Sequence, residues 1–117
     1  MHELGITQGI VDRAREAAAE NAATRVTDVY VVMTPAADFT EESVLMYFGM
    51  LTQDDDLLRG ARVCVEHLPA SAECLDCGRS FSVDAPEPSC VRCGSANVRF
   101  DPAAPMIQLT GIRVDEP

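Results

Sequence analysis

Two short cysteine pairs constrain this chain more than any other feature: Cys74-Leu75-Asp76-Cys77 and Cys90-Val91-Arg92-Cys93, twelve residues apart, each followed at once by a glycine, Gly78 and Gly94. Two residues between cysteines let one tight turn direct both sulfurs at a single ion, while N–H groups of the turn bond the thiolates. The glycine tolerates the positive φ with which the chain leaves. Two such turns complete a tetrahedral S4 site, the donor set and geometry of structural Zn2+. With all four positions filled by sulfur, none is left for water or substrate, so such a zinc holds structure and does not catalyse. One pair alone also suits dithiol exchange, but two matched pairs in a segment poor in apolar residues point to a metal.

That segment, from Pro69 to about Pro105, holds four cysteines and five prolines, shows little apolar periodicity and offers no core of its own. Its flanks differ. From Leu4 to about Ala22, Ile6, Ile10, Val11, Ala14, Ala17 and Ala18 recur at helical spacing, with Asp12, Arg13, Glu16 and Glu20 opposite. "RVTDVYVVM" then reads as a strand from about Arg25 to Met33. Pro35 breaks it. Thr40 offers an N-cap, with Glu41 and Glu42 favouring the positive end of a second helix whose buried stripe is Val44, Leu45, Phe48 and Leu51. "ARVCVEH" alternates as a half-buried strand, and "MIQLTGIRV" is a last strand whose apolar residues change phase, so a bulge or kink is expected near Gly111. Having nothing local to pair with, the last strand returns to the first two. The fold class expected is α+β: two helices packed on a small three-stranded sheet, with an inserted zinc-ribbon-like module. The domains expected are 1–69 plus 106–117 for the body and 70–105 for the zinc module.

Charge narrows the function. Nine basic against nineteen acidic residues give −10, there is no lysine, and the arginines are scattered, so no basic patch exists for a phosphate backbone. No stretch reaches the roughly 18 apolar residues of a membrane span, and the N-terminus lacks the basic-then-apolar pattern of a signal peptide. A cytoplasmic protein without nucleic-acid or membrane partners is expected. No nucleophile–base pair, phosphate loop or open metal site with a positioned base is present, so no enzyme is expected. Asp54, Asp55 and Asp56 lack the glycine of a calcium loop and read as a solvated face. Met33, Met46, Met50 and Met106 read as core, Cys64 as an idle strand thiol, and His67 as a solvated residue where strand and zinc module join.

An opening "MHEL" running into an amphipathic helix, "RVTDVYVVM", a Glu-Glu-Ser helix start followed by "MYF", "GARVCVEHLP", the paired C-x-x-C-G motifs and a closing "IQLTGIRV" together resemble the HypA family of hydrogenase nickel-incorporation proteins over nearly the whole chain. The resemblance implies a small nickel metallochaperone with a nickel domain and a structural Zn(II) domain. It would hand Ni(II) to the large subunit of [NiFe]-hydrogenase, or serve urease, together with a HypB-type GTPase, as a monomer or weak homodimer. The zinc ligands would be Cys74, Cys77, Cys90 and Cys93.

It also gives the second residue a purpose. The Met1 terminal amine, the His2 amide nitrogen and the His2 imidazole Nδ1 can close fused chelate rings around one ion, which suits square-planar Ni2+, and Glu3 can add a fourth donor through its carboxylate or amide nitrogen. The amine and imidazole must shed protons to bind, so affinity should fall with pH. A zinc-ribbon adaptor for protein partners, without nickel transfer, is the competing expectation.

Overall fold

The computed structural model describes residues 2–85 and 87–115, the side chain of His2 excepted. The elements follow in the order α1 (His2–Glu20), β1 (Val26–Met33), α2 (Glu41–Thr52), β2 (Arg62–His67), β3 (Ala70–Cys74), β4 (Ser80–Val83), β5 (Val98–Phe100) and β6 (Ile107–Val114). They form two compact units: Met1–Val32, Phe39–Glu66 and Gln108–Pro117 make the first, Met33–Asp38 and His67–Ile107 the second. None of the helices among the described residues is long and apolar enough to cross a membrane.

In the first unit α1 and α2 pack on each other. Thr7, Ile10, Val11, Ala14 and Ala18 of α1 are buried at helical spacing, and so are Val44, Phe48 and Thr52 of α2. Thr40 caps α2 by accepting the Ser43 N–H at 3.1 Å. The buried stripe of α2 is narrower than its sequence suggests. Leu45 stands 38% exposed, and Met46 and Met50, expected in the core, are 53% and 56% exposed because they lie away from the Val44–Phe48–Thr52 line. Thr52 fills the place instead, donating its hydroxyl to the Phe48 carbonyl at 2.8 Å so that no polar group is orphaned. The acidic turn after α2 is also more than a solvated face. Asp55 pairs with Arg15 of α1 and accepts the Leu57 N–H at 2.9 Å. Burial works against its charge, but these donors prevail and hold its carboxyl below the ordinary range.

The first sheet has the order β2-β1-β6, so the last strand does return to the first. The Leu68 N–H donates to the Met33 carbonyl at 2.9 Å, and Arg62 reaches Asp28 at 2.8 Å. Partners advance in the same direction along both strands, so β1 and β2 run parallel with α2 as their crossover. β6 runs antiparallel to β1, with Asp115 N–H on the Arg25 carbonyl at one end and Thr34 N–H on the Met106 carbonyl at the other. Both bonds lie just beyond the strand ends and fix the direction of pairing there. Asp28 and Val29 are buried in succession, and Gly111 and Ile112 are both half-buried, where the sequence changes phase.

Asp28 is only 4% exposed. The Thr27 hydroxyl donates to one carboxylate oxygen at 2.9 Å and the Arg62 Nε to the other at 2.8 Å. Both bonds favour the ionised form, so its pKa lies below the ordinary 3.8.

The second unit carries a sheet of its own, order β4-β3-β5, both pairings antiparallel. A segment expected to lack a core thus has a small one: Ala70, Ala72, Cys74, Val83 and Cys90 are buried. The two long connections of the chain are anchored at one place, because Thr34 also donates its hydroxyl to the Pro105 carbonyl at 2.6 Å, next to the Met33 carbonyl that holds Leu68.

Two outcomes test this account. Thr40→Ala should lower stability by about 1 kcal/mol in chemical denaturation, the usual cost of a lost N-cap. Asp28 has a depressed pKa, so its stabilising effect is complete above the unfolded value and is lost as pH falls through the folded one. Melting temperatures of wild type and Asp28→Asn should therefore converge as the pH falls below about 4; a constant gap would show that the Asp28 charge contributes nothing.

Candidate metal centre

β3 ends in Cys74, and its last residue begins a turn that is repeated almost bond for bond sixteen positions later at Cys90. In the first turn the Gly78 N–H donates to the Cys74 carbonyl at 2.8 Å and the Cys74 N–H to the Arg79 carbonyl at 2.8 Å. In the second, Gly94 donates to Cys90 at 2.9 Å and Cys90 to Ser95 at 2.8 Å. Gly78 and Gly94 have φ of 78° and 75°, the left-handed conformation their position requires.

The turns face each other. Cys74 Sγ lies 3.6 Å from Cys93 Sγ, Cys77 Sγ 3.6 Å from Cys90 Sγ, and all four sulfurs fall within 4.8 Å of one another. Sulfurs at the corners of a tetrahedron with metal–sulfur bonds of ~2.3 Å stand about 3.8 Å apart. The cluster matches that size. The leading cysteine of each pair is buried and the trailing one exposed, and no other group of three or more His, Cys, Asp or Glu among the described residues converges in this way.

Backbone N–H groups point at the sulfurs. Cys90 Sγ accepts from Cys93 N at 3.5 Å and from Arg92 N at 3.4 Å, and these bonds pull its pKa down to about 6. At Cys93 the Ser95 N–H also favours the thiolate, but crowding by Cys74 and Cys90 outweighs it and pushes the thiol up to about 12. Cys77 is raised as well, its bond from Arg79 overcome by burial and by Cys90 and Cys74. One sulfur is thus ready as a thiolate and its neighbours resist. A divalent cation at the centre reverses that resistance, which is the chemistry of a closed thiolate metal site.

Sequence reasoning missed what joins the turns. Asp76, between the first two cysteines, accepts from the Ser95 hydroxyl and from Asn97 Nδ2 at 3.2 Å, while the Leu75 N–H donates to the Asn97 carbonyl at 2.9 Å. Ser95 and Asn97 follow the second pair, so the clamp ties one turn to the other without using a sulfur. No spacing rule announces it, although the short polar residues Ser95 and Asn97 soon after Gly94 were the available signal.

Of the other residues marked in the sequence, Met1 and the side chain of His2 lie outside the described residues. Glu3 is half-buried in the first turn of α1 and its carbonyl accepts the Thr7 hydroxyl at 2.7 Å. Cys64 is half-buried on β2, and His67 is exposed at its end.

Fold and centre define a class: a small α+β protein with a four-thiol, zinc-ribbon-like metal centre in its second unit. The family model for HypA, described as hydrogenase/urease nickel incorporation, metallochaperone, matches residues 1–108. The hydrogenase maturation factor HypA of Caldanaerobacter subterraneus subsp. tengcongensis is 32% identical over 115 residues, spanning 98% of this chain and 100% of that protein. Hydrogenase maturation factor HybF of Klebsiella pneumoniae is 33% identical over 100 residues, 86% of this chain and 88% of its own. The solution structure of the Ni metallochaperone HypA from Helicobacter pylori superposes with a TM-score of 0.67 at 20% identity, covering 97% of both chains, and so shares the fold. This chain belongs to the HypA family, whose members are maturation factors and not enzymes.

Metal binding should release protons, because at least Cys77 and Cys93 enter the reaction protonated at neutral pH. Titrating Zn2+ into reduced, metal-free protein in buffers of different ionisation heat should give enthalpies that depend on the buffer. Equal enthalpies in all of them would mean the thiols were ionised beforehand.

Proposed function

We propose that this chain is a nickel metallochaperone that binds Ni(II) at its N-terminus and delivers it for the maturation of [NiFe]-hydrogenase. Beside family membership, one observation carries the reading. α1 begins at His2, so the N–H groups of His2 and Glu3 fall among the first four of the helix, which have no acceptor within it. An amide not committed to a helical bond can give its proton up to a metal without breaking a turn. The Met1 terminal amine, the amide and imidazole nitrogens of His2, and Glu3 would then supply the donors, and nitrogen donors suit square-planar Ni2+. The hydroxyl of Thr7 on the Glu3 carbonyl steadies the backbone that carries them.

The fit of the four sulfurs supports a resident Zn(II) held by Cys74, Cys77, Cys90 and Cys93, where it would tie two turns together and leave no position open for chemistry. In this reading residues 1–69 with 106–117 form the nickel domain and 70–105 the structural zinc domain. A site on the chain terminus is dismantled one ligand at a time, which is what handing over a cation requires. The recipients are the [NiFe]-hydrogenase large subunit, with a HypB-type GTPase as co-worker, in the cytoplasm; urease is a second nickel enzyme such a carrier can serve. A net charge of −10 favours cation capture and disfavours nucleic acid.

Protein with its native N-terminus, loaded with Ni2+, should carry one nickel and one zinc, and His2→Ala should keep the zinc and lose the nickel. Nickel binding by the unmodified protein should also weaken below about pH 6.5, where imidazole protonates. Equal nickel in both proteins would remove the carrier reading and leave a zinc-ribbon adaptor.

A further inference from the structure

Two sulfur–sulfur approaches run from one turn to the other, Cys74 to Cys93 and Cys77 to Cys90, each 3.6 Å. Cys77 and Cys93 are exposed, so each close pair joins one reachable cysteine to one buried cysteine. The Asp76 clamp and the Leu75–Asn97 backbone bond hold the turns opposite each other without any sulfur and without an ion. We infer that the four-cysteine centre is also a thiol-oxidation site for peroxides, which closes two crossed disulfides, Cys74–Cys93 and Cys77–Cys90, and so staples the second unit once its metal has gone.

The chemistry balances. The exposed sulfur of Cys77 or Cys93 attacks one oxygen of hydrogen peroxide, giving up its proton; the O–O bond breaks, the departing hydroxide takes a proton to become water, and the sulfur becomes a sulfenic acid. The facing cysteine, Cys90 or Cys74, attacks that sulfur; an S–S bond forms and a second hydroxide leaves. In forming each disulfide a pair of thiols gives two electrons to one peroxide, whose oxygens end as water or hydroxide, and two peroxides complete both bonds. A Zn2+ held by the four sulfurs would take no part in the electron transfer, and disulfide sulfur would no longer supply the charge to hold it.

Crossed closure differs in effect from closure within a pair. A bond within Cys74–Cys77 or Cys90–Cys93 closes only a single turn and leaves the two turns unconnected. The crossed bonds close the longer loops 74–93 and 77–90, restrict the unfolded chain more and take over the metal's work. The inference does not depend on nickel, since it rests on the thiols alone.

Full-length protein treated with stoichiometric hydrogen peroxide, alkylated and digested with trypsin decides the matter, because cleavage after Arg79 and Arg92 separates Cys74 and Cys77 from Cys90, and Cys90 from Cys93. The expected product is three peptides joined in one species, with fragment ions placing the links at 74–93 and 77–90. Disulfides within the pairs, the alternative 74–90 and 77–93 links, sulfinic acids, or links between chains would each overturn the proposal. In Asp76→Ala the share of crossed links should fall severalfold, and an unchanged pattern would overturn the role given to the clamp. Since this readout is a covalent map, it succeeds or fails independently of nickel content.

Discussion

Four sulfurs within 4.8 Å of one another repel as soon as more than one is ionised, and much of the second unit is arranged around that conflict. Two equivalent turns bring the sulfurs in, two glycines at positive φ let the chain out again, and backbone N–H groups supply the partial positive charge that a lone thiolate needs. The opposite shifts at Cys90 and Cys93 show the conflict within one pair: the same turn that favours the first thiolate leaves the second surrounded by competitors. A cation at the centre would resolve all of it at once, and in the proposed reading it would let a three-stranded sheet with little more than Ala70, Ala72 and Val83 in its interior suffice.

How much could be read beforehand depended on whether a feature is local. The paired cysteines, the glycines that follow them and the Thr40 cap are spacing rules, and each appears in the structure as its spacing dictates. The return of β6 to β1 followed from the lack of any nearer partner. The second sheet was hidden because β3 alternates small residues, Ala70, Ala72 and Cys74, whose apolar signal is weak although their burial is nearly complete. Asp55 and Asp76 were hidden for another reason. Each satisfies a donor far away in sequence, Arg15 in one case and Ser95 and Asn97 in the other, and a string of residues does not display such pairings. Met46 and Met50 were misjudged because helical periodicity gives a stripe but not its width.

The two proposed metal sites would place opposite demands on one short chain. Four sulfurs from two interlocked turns make a closed shell, with exchange slowed by the need to displace several ligands that the backbone holds in place. Donors gathered at a chain end would lack a cage of that kind; among the described residues, the Glu3 carbonyl accepts the Thr7 hydroxyl. In that proposal retention and release would fall to different parts of the molecule, and neither would require a compromise in the other.

The anchoring of both long connections at Met33 and Thr34 also governs the order in which the chain can assemble. Thr110 on β6 reaches the Tyr30 carbonyl across 80 positions of sequence, a closure that a flexible chain meets slowly. With the insertion folded, Leu68 and Met106 are held beside neighbouring residues, so the effective distance to be closed shrinks to a few positions. The first unit then acquires its third strand almost locally. Synthesis from the N-terminus delivers β6 last, after all four cysteines, so the four thiols are available before the first sheet is complete.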